Sequence, residues 1–212
     1  GTGENQGNMG ADLGVSDQPG FEQLTLRLGS GEFEIFKCTL TDNISLVGEG
    51  PEHTVITGEI RGLQAGCEIS GMTVLGGITV FRGGGRISDC AVIGGVPGIF
   101  ATESSLELAH CLIRDGGDGI KVKASNTPVS LTLSDTVIRN NRGNGVLGGG
   151  SINAVFERCV VSGNGGGGVD LSDPLLGRGI PSAVFTDSEV SNNLGDGIRI
   201  MGGYLDLSNS TI

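Results

Sequence analysis

The stretch that decides the fold runs from Ile138 to Ile200. It carries one pattern three times: Ile138-Arg139-Asn140-Asn141 then Gly143-Asn144-Gly145-Val146, Val161-Ser162-Gly163-Asn164 then Gly166-Gly167-Gly168-Val169, and Val190-Ser191-Asn192-Asn193 then Gly195-Asp196-Gly197-Ile198. An apolar β-branched residue leads into a polar or glycine corner, and Gly-x-Gly-[Ile/Val] leads out. From Cys67 onward the same unit recurs. Ile69, Ile87, Leu108, Leu133, Phe156, Phe185 and Leu207 form one inward column. Met72, Cys90, Cys111, Thr136, Cys159, Ser188 and Ser210 form the next. Val74, Val92, Ile113, Ile138, Val161, Val190 and Ile212 form a third, and Ile78, Ile99, Ile120, Val146, Val169 and Ile198 a fourth.

Within each short run apolar residues recur at spacing two, which is strand periodicity. Columns that hold register over roughly 20–30 residues per repeat signal a solenoid. Short strands joined by corners, with no helix between them, predict an all-β fold: a single-stranded parallel β-helix of about seven to eight coils. No coil can bury its inward face alone, so its neighbours supply the core. The corners need sharp turns. Gly tolerates positive φ, with Asn next, so Asn141, Asn164, Asn193 and the glycine pairs are read as corner geometry.

Composition agrees. The 41 Gly among 212 residues exclude a helical bundle, because Gly is costly inside helices. The net charge of −11 disfavours nucleic acid and anionic membrane as partners, since both need a basic surface. No apolar run has the length of a membrane span. Five cysteines are an odd, sparse set, read as mostly free, buried thiols, with a Cys90–Cys111 disulfide as the alternative. Residues 1–20 read as a poorly structured lead-in, and 21–212 as the β-helix. Thr211-Ile212 falls in mid-coil, so the expectation is a C-terminal end that is truncated, or capped by a missing segment or a partner.

Asn43-Ile44-Ser45-Leu46-Val47-Gly48-Glu49-Gly50-Pro51, followed by Thr54-Val55-Ile56-Thr57-Gly58, resembles the opening coils of pectin-lyase-like right-handed β-helix proteins. The repeats from Cys67 to Ile212 resemble those shared by polysaccharide lyases, pectin-degrading hydrolases, alginate epimerases and phage tailspikes. The resemblance implies a right-handed coil and a bacterial protein, secreted or at the cell surface, although residues 1–20 lack the pattern of a secretion signal. It is specific for fold and poor for activity. The paired-Asp and Gly-His-Gly arrangement of the pectin hydrolases is missing, as is the Asp-Pro-His-Asp motif of the epimerases. His110 and His53 read as solvated corner and turn residues.

Alternation places Thr79, Phe100, Lys121, Leu147, Asp170 and Arg199 in one outward column, and Phe81, Thr102, Lys123, Gly149, Ser172 and Met201 in the next. Ala124 to Ser130 and Ser172 to Ser182 read as excursions flanking a short coil. They predict a shallow groove near Lys121, Lys123, Asn144, Asp170, Asp173, Arg178, Asp196 and Arg199. Phe81 and Phe100, read as lying side by side, offer faces for sugar rings. Lyase-type β-elimination there would use Lys121 or Lys123 as base, and Arg199, or a calcium ion on Asp170 and Asp173, to neutralise a uronate carboxylate. Otherwise no cofactor is expected. Asp118 and Asp196 lie too far apart for a hydrolase pair and read as turn formers.

An outward apolar stripe of Ala91, Leu112, Val137 and Val160 needs a cover. The N-terminal segment is one candidate, and a homo-oligomer through Leu112, Val137 and Val160, or through the open C-terminal coil, is the other. The leading functional expectation is a non-catalytic, glycan-recognising or scaffolding module of a larger extracellular protein. The alternatives are a polysaccharide lyase or epimerase acting on a uronate-containing glycan, and a self-assembling structural module.

Overall fold

The computed structural model describes residues 23–40, 43–81, 83–173 and 179–212. The lead-in expected over residues 1–20 lies outside them. The described residues form 21 strands and no helix, so none is present to cross a membrane. All pairings between these strands are parallel, and they build about eight coils with three faces.

Sheet A holds Leu24–Arg27, Ile44–Val47, Glu68–Ser70, Gly85–Ser88 and Leu106–Ala109. It continues through the later parts of Ile120–Ser134 and Val146–Glu157 to Ser182–Thr186 and Tyr204–Ser208. Sheet B takes the first parts of Gly31–Thr39 and Thr54–Leu63, then Thr73–Leu75, Ala91–Ile93, Leu112–Arg114, Val137–Arg139, Val160–Ser162 and Glu189–Ser191. Sheet C takes the later parts of Gly31–Thr39 and Thr54–Leu63, then Ile78–Phe81 and Ile99–Thr102. The openings of Ile120–Ser134 and Val146–Glu157, with Val169–Leu171 and Ile198–Ile200, complete it.

The inward columns hold in register. Ile69 pairs with Ile87, Ile87 with Leu108, and so on through Leu133, Phe156, Phe185 and Leu207. Residues from Ile69 to Phe185 in this column are fully buried. Each side chain of this size contributes roughly 1.5–3 kcal/mol on leaving water. Phe156 and Phe185 stack at 4.4 Å between centroids with planes 2° apart.

The corners follow two different rules. Between sheets A and B a single residue turns the chain: Asp89, His110, Asp135, Arg158, Asp187 and Asn209 all sit at φ between 48 and 54°. His110 is exposed there, as its corner reading requires. From Cys111 onward the residue after the turn closes it. Thr136 Oγ1 and Ser188 Oγ donate to the carbonyls of Ser134 and Thr186 at 2.9 Å. Cys111 Sγ and Cys159 Sγ make the same two-residue-back contact to Ala109 and Glu157 at 3.3 Å. Cys, Ser and Thr alternate in this column because each supplies one small donor. None of the five cysteines forms a disulfide, and only Cys38 is not fully buried.

Between sheets B and C the expected role of asparagine needs correcting. Positive φ falls on the preceding residues Asn140, Gly163 and Asn192. Asn141 and Asn164 are instead fully buried and form a ladder with Asn193. The Asn141 N–H and Nδ2 donate to Asn164 Oδ1 at 3.1 and 3.0 Å, and Asn164 repeats this on Asn193 at 3.0 and 2.9 Å. Turn propensity alone cannot reveal this, because it depends on coils meeting in register. The glycines that lead out of this corner are required by close approach rather than by φ. A Cβ on Gly145 would lie 2.5 Å from Val161 Cγ1 and 2.7 Å from the Gly168 carbonyl oxygen.

The strands Leu24–Arg27 and Gly31–Thr39 do not pair with each other; each pairs with the next coil. Ala91, Leu112, Val137 and Val160 follow one another on the outside of sheet B, half-buried, and Glu189 ends the stripe.

Asn164→Ala leaves buried donors of Asn141 unpaired. The expected cost is about 2–4 kcal/mol, read from the urea midpoint. A loss below about 0.5 kcal/mol would show the ladder to be dispensable. Burial also pushes the Cys90 thiol up to about 12 and Cys111 to about 11, and raises Cys38 and Cys159. At pH 8 a thiol reagent is therefore expected to label native protein at Cys38 alone, and all five cysteines after unfolding. Fast labelling of Cys90 or Cys111 in the folded protein would contradict the core column.

Candidate functional site on the outer face of sheet C

Outward positions of sheet C are fixed by the same register. Thr39, Arg61, Thr79, Phe100, Lys121 and Leu147 succeed one another across neighbouring strands. Asp170 pairs with Leu147, and Arg199 with Asp170. Phe81, Thr102, Lys123 and Gly149 form the parallel row.

A cleft of about 480 Å³ opens at the early end of this face, lined by Glu59, Arg61, Gly77, Thr79, Phe81, Gly95, Val96, Pro97 and Phe100. A step in corner length makes it. The B-to-C corner is Gly58 in one coil and Gly76-Gly77 in the next, then widens to the segment Gly94 to Gly98. The longer corner carries Val96 and Pro97 outward, with Val96 85% exposed, and they form a lip over the shorter coils. Below the lip, Gly62 at φ 90° interrupts the strand, and the register shifts between Arg61 and Leu63. Arg61 nevertheless pairs with Thr79, and so lies beside the rest of the lining.

The polar end of the cleft is a linked trio. Arg61 Nη2 lies 2.6 Å from Glu59 Oε2, and Thr79 Oγ1 donates to Glu59 Oε1 at 3.0 Å. The Arg61 hydrogen bond, aided by Thr79 and more weakly by the charge of Lys37, holds the Glu59 carboxyl below its usual range. Two polar atoms on this face are buried without a hydrogen-bond partner among the described residues: Arg61 Nε and Thr102 Oγ1. Such orphans are uncommon in folded proteins. The apolar end is Phe81 and Phe100.

The family model described as the right-handed β-helix region matches residues 27–173 and 59–212. The chain belongs to this family. Its coil is the right-handed β-helix that the opening coils suggest. Two solved structures from Azotobacter vinelandii share it. The A-module of mannuronan C-5 epimerase AlgE6 aligns at 18% identity with a TM-score of 0.64, over 87% of this chain and 68% of that one. The A-module of mannuronan C-5 epimerase AlgE4 aligns at 16% identity with a TM-score of 0.62, over 88% of this chain and 68% of that one. At such identities the likeness is one of fold. No curated protein sequence matches the chain significantly.

On this right-handed β-helix, Phe81 and Phe100 are the two sequence-expected residues that line the cleft. They do not lie side by side. Phe81 pairs with Thr102 and Phe100 with Thr79, so the rings are set diagonally, roughly 8 Å apart at the backbone. Lys121 and Lys123 follow Phe100 and Thr102 one coil on, half-buried and outside the lining. Three strand steps, roughly 14 Å, separate Lys121 from Arg199 at the backbone. Among the described residues no ion pair joins Asp170 to Arg199; Asp170 Oδ1 instead accepts from the Ser172 N–H at 3.0 Å.

Asn144 is a corner residue: its N–H donates to Asp118 Oδ1 at 2.9 Å, and its Oδ1 accepts from Gly167 N at 2.7 Å. The Asp118 carboxylate thus ties its corner to the next coil, and Asp196 is exposed at the matching corner. Asp173 is half-buried, and its N–H donates to the Gly148 carbonyl at 3.1 Å. Among the described residues no group of three or more His, Cys, Asp or Glu side chains is gathered for a metal ion. Arg178 lies outside the described residues. The first excursion folds back on the preceding coil, where Glu103 accepts from the Ser125 and Thr127 N–H groups at 2.7 and 3.3 Å.

Glu59, Arg61 and the Val96-Pro97 lip were missed in sequence. The step from Gly76-Gly77 to the longer Gly94-to-Gly98 corner is the signal that marks them. The lowered Glu59 carboxyl contributes stability above the ordinary Glu range, about pH 4–5. That contribution is lost as pH falls through its lower folded value. A carboxyl-carbon NMR titration should place Glu59 below the ordinary glutamate range. A midpoint within or above that range would dissolve the trio.

Proposed function

We propose that the chain is a glycan-recognising β-helix module of a larger extracellular protein. One observation carries this reading. The cleft joins two partly exposed phenylalanine rings to a carboxylate–guanidinium–hydroxyl trio. Sugars present apolar C–H faces and paired hydroxyls, and that combination matches both ends. Concave sites with an apolar wall and a few convergent polar groups are the usual form of a small-ligand pocket. The acidic net charge is compatible with an extracellular glycan partner and unsuited to nucleic acid.

Lyase or epimerase chemistry would require a base and a carboxylate neutraliser converging on one sugar. Lys121 and Arg199 stand three coils apart on the outer face of sheet C. Recognition therefore fits the arrangement better than catalysis.

A panel of plant, algal and bacterial oligosaccharides, with and without calcium, tests the reading by saturation-transfer NMR and calorimetry. The expected result is binding that Phe100→Ala weakens about tenfold or more, with the circular dichroism spectrum unchanged. No unsaturated uronate should accumulate at its absorbance band. Appearance of that product would make the protein a lyase. Failure of every glycan to bind would leave the structural, self-assembling reading.

A further inference from the structure

The lining of the cleft is charge-balanced. Its ionic groups are Glu59 and Arg61, and they are paired with each other at 2.6 Å. Every other lining residue is Gly, Thr, Phe, Val or Pro. Among the described residues, the cations paired with the lining from outside are exposed Lys37, beside Glu59, and half-buried Lys121, beside Phe100, each one strand beyond it. Solvated lysines hold an anion weakly.

An acidic sugar entering this cleft would bring its carboxylate toward Glu59, and the guanidinium charge that could answer it is already balanced by that carboxylate. Like charges at contact distance repel, and the surrounding net charge of −11 adds to the penalty. An uncharged sugar meets the opposite situation. Vicinal hydroxyls can donate to the Glu59 carboxylate and accept from the Arg61 guanidinium at once. The two rings, diagonal on adjacent strands, suit consecutive sugar units rather than one.

We infer that this cleft is a subsite for a neutral pyranose oligomer of at least two units, and that the Glu59–Arg61 pair reads its hydroxyls and rejects uronates. This rests on the glycan-recognition reading and adds a charge preference to it. Glu59 is the selectivity residue, acting as acceptor and as the group that cancels Arg61.

The test compares cellotetraose and mannotetraose with tetragalacturonate and tetramannuronate, by calorimetry and by shifts of the Phe81 and Phe100 ring signals. For the unaltered protein, at least one neutral tetrasaccharide should bind about tenfold or more tighter than either uronate. Its affinity should stay flat between low and high salt. Glu59→Gln keeps the shape but frees Arg61. It should weaken the neutral ligand several-fold and strengthen the uronates, with the uronate gain erased by salt. Thermal unfolding checks that the variant is folded. If it is not, the salt dependence and ligand ranking of the unaltered protein decide the matter alone. A uronate that binds tighter than both neutral sugars and shifts the Phe100 signals would overturn the charge preference while leaving glycan recognition intact. Neutral binding that leaves the Phe81 and Phe100 signals unmoved would overturn this cleft as the site. If none of the four binds and the wider panel is also silent, both readings fall.

Discussion

Every coil of this protein depends on a neighbour that repeats its inward side chains. Parallel strands about 4.8 Å apart place equivalent residues directly over one another. A column such as Ile69, Ile87, Leu108, Leu133, Phe156 and Phe185 is therefore one continuous strip of core, not six separate side chains. The stacked rings of Phe156 and Phe185 show how strict this is, since parallel planes 4.4 Å apart require both strands to keep the same register and rotamer. A coil taken alone would leave its apolar side in water. Stability is thus a property of the stack.

The polar corners obey the same constraint. An asparagine buried in a single turn would be costly, because its amide would lack partners. Stacked in register, each asparagine donates to the Oδ1 of the next and accepts at its own Oδ1 from the one before, so Asn141, Asn164 and Asn193 form a polar counterpart of the hydrophobic columns. From Cys111 onward the Cys, Ser and Thr column works similarly within its coils, by closing the turn that precedes it. Side chains with different chemistry hold these positions because geometry selects small donors there, and burial keeps the thiols protonated.

What could be read from the chain divides along this line. Columns that repeat were legible from Cys67 onward, because strand period and spacing recur often enough to test. The roles of Asn141 and Asn164 were only half legible: their place at a corner is a local property, but their hydrogen bonds exist only between coils. The ring pair was placed on the correct face, yet its diagonal offset required the residue-by-residue register of Ile78–Phe81 against Ile99–Thr102. Glu59 and Arg61 stayed hidden because they precede the tested repeats and sit beside Gly62, where the register shifts. Counting in twos cannot be carried through such a bulge.

The cleft follows from that irregularity. A uniform solenoid has a uniform surface, and a uniform surface has nowhere to hold a small ligand. Concavity appears where one coil departs from the next, here through the Gly94-to-Gly98 corner overhanging Gly76-Gly77 and through the bulge at Gly62. The interior tolerates both departures because neither touches an inward column: Ile60 still pairs with Ile78, and Ile78 with Ile99. The repeat thus supplies rigidity, and its local violations supply the site. On such a scaffold a change in corner length is a better guide to a binding surface than any single conspicuous side chain. The rings and the Glu59–Arg61 pair gather where the corner lengthens and the strand bulges.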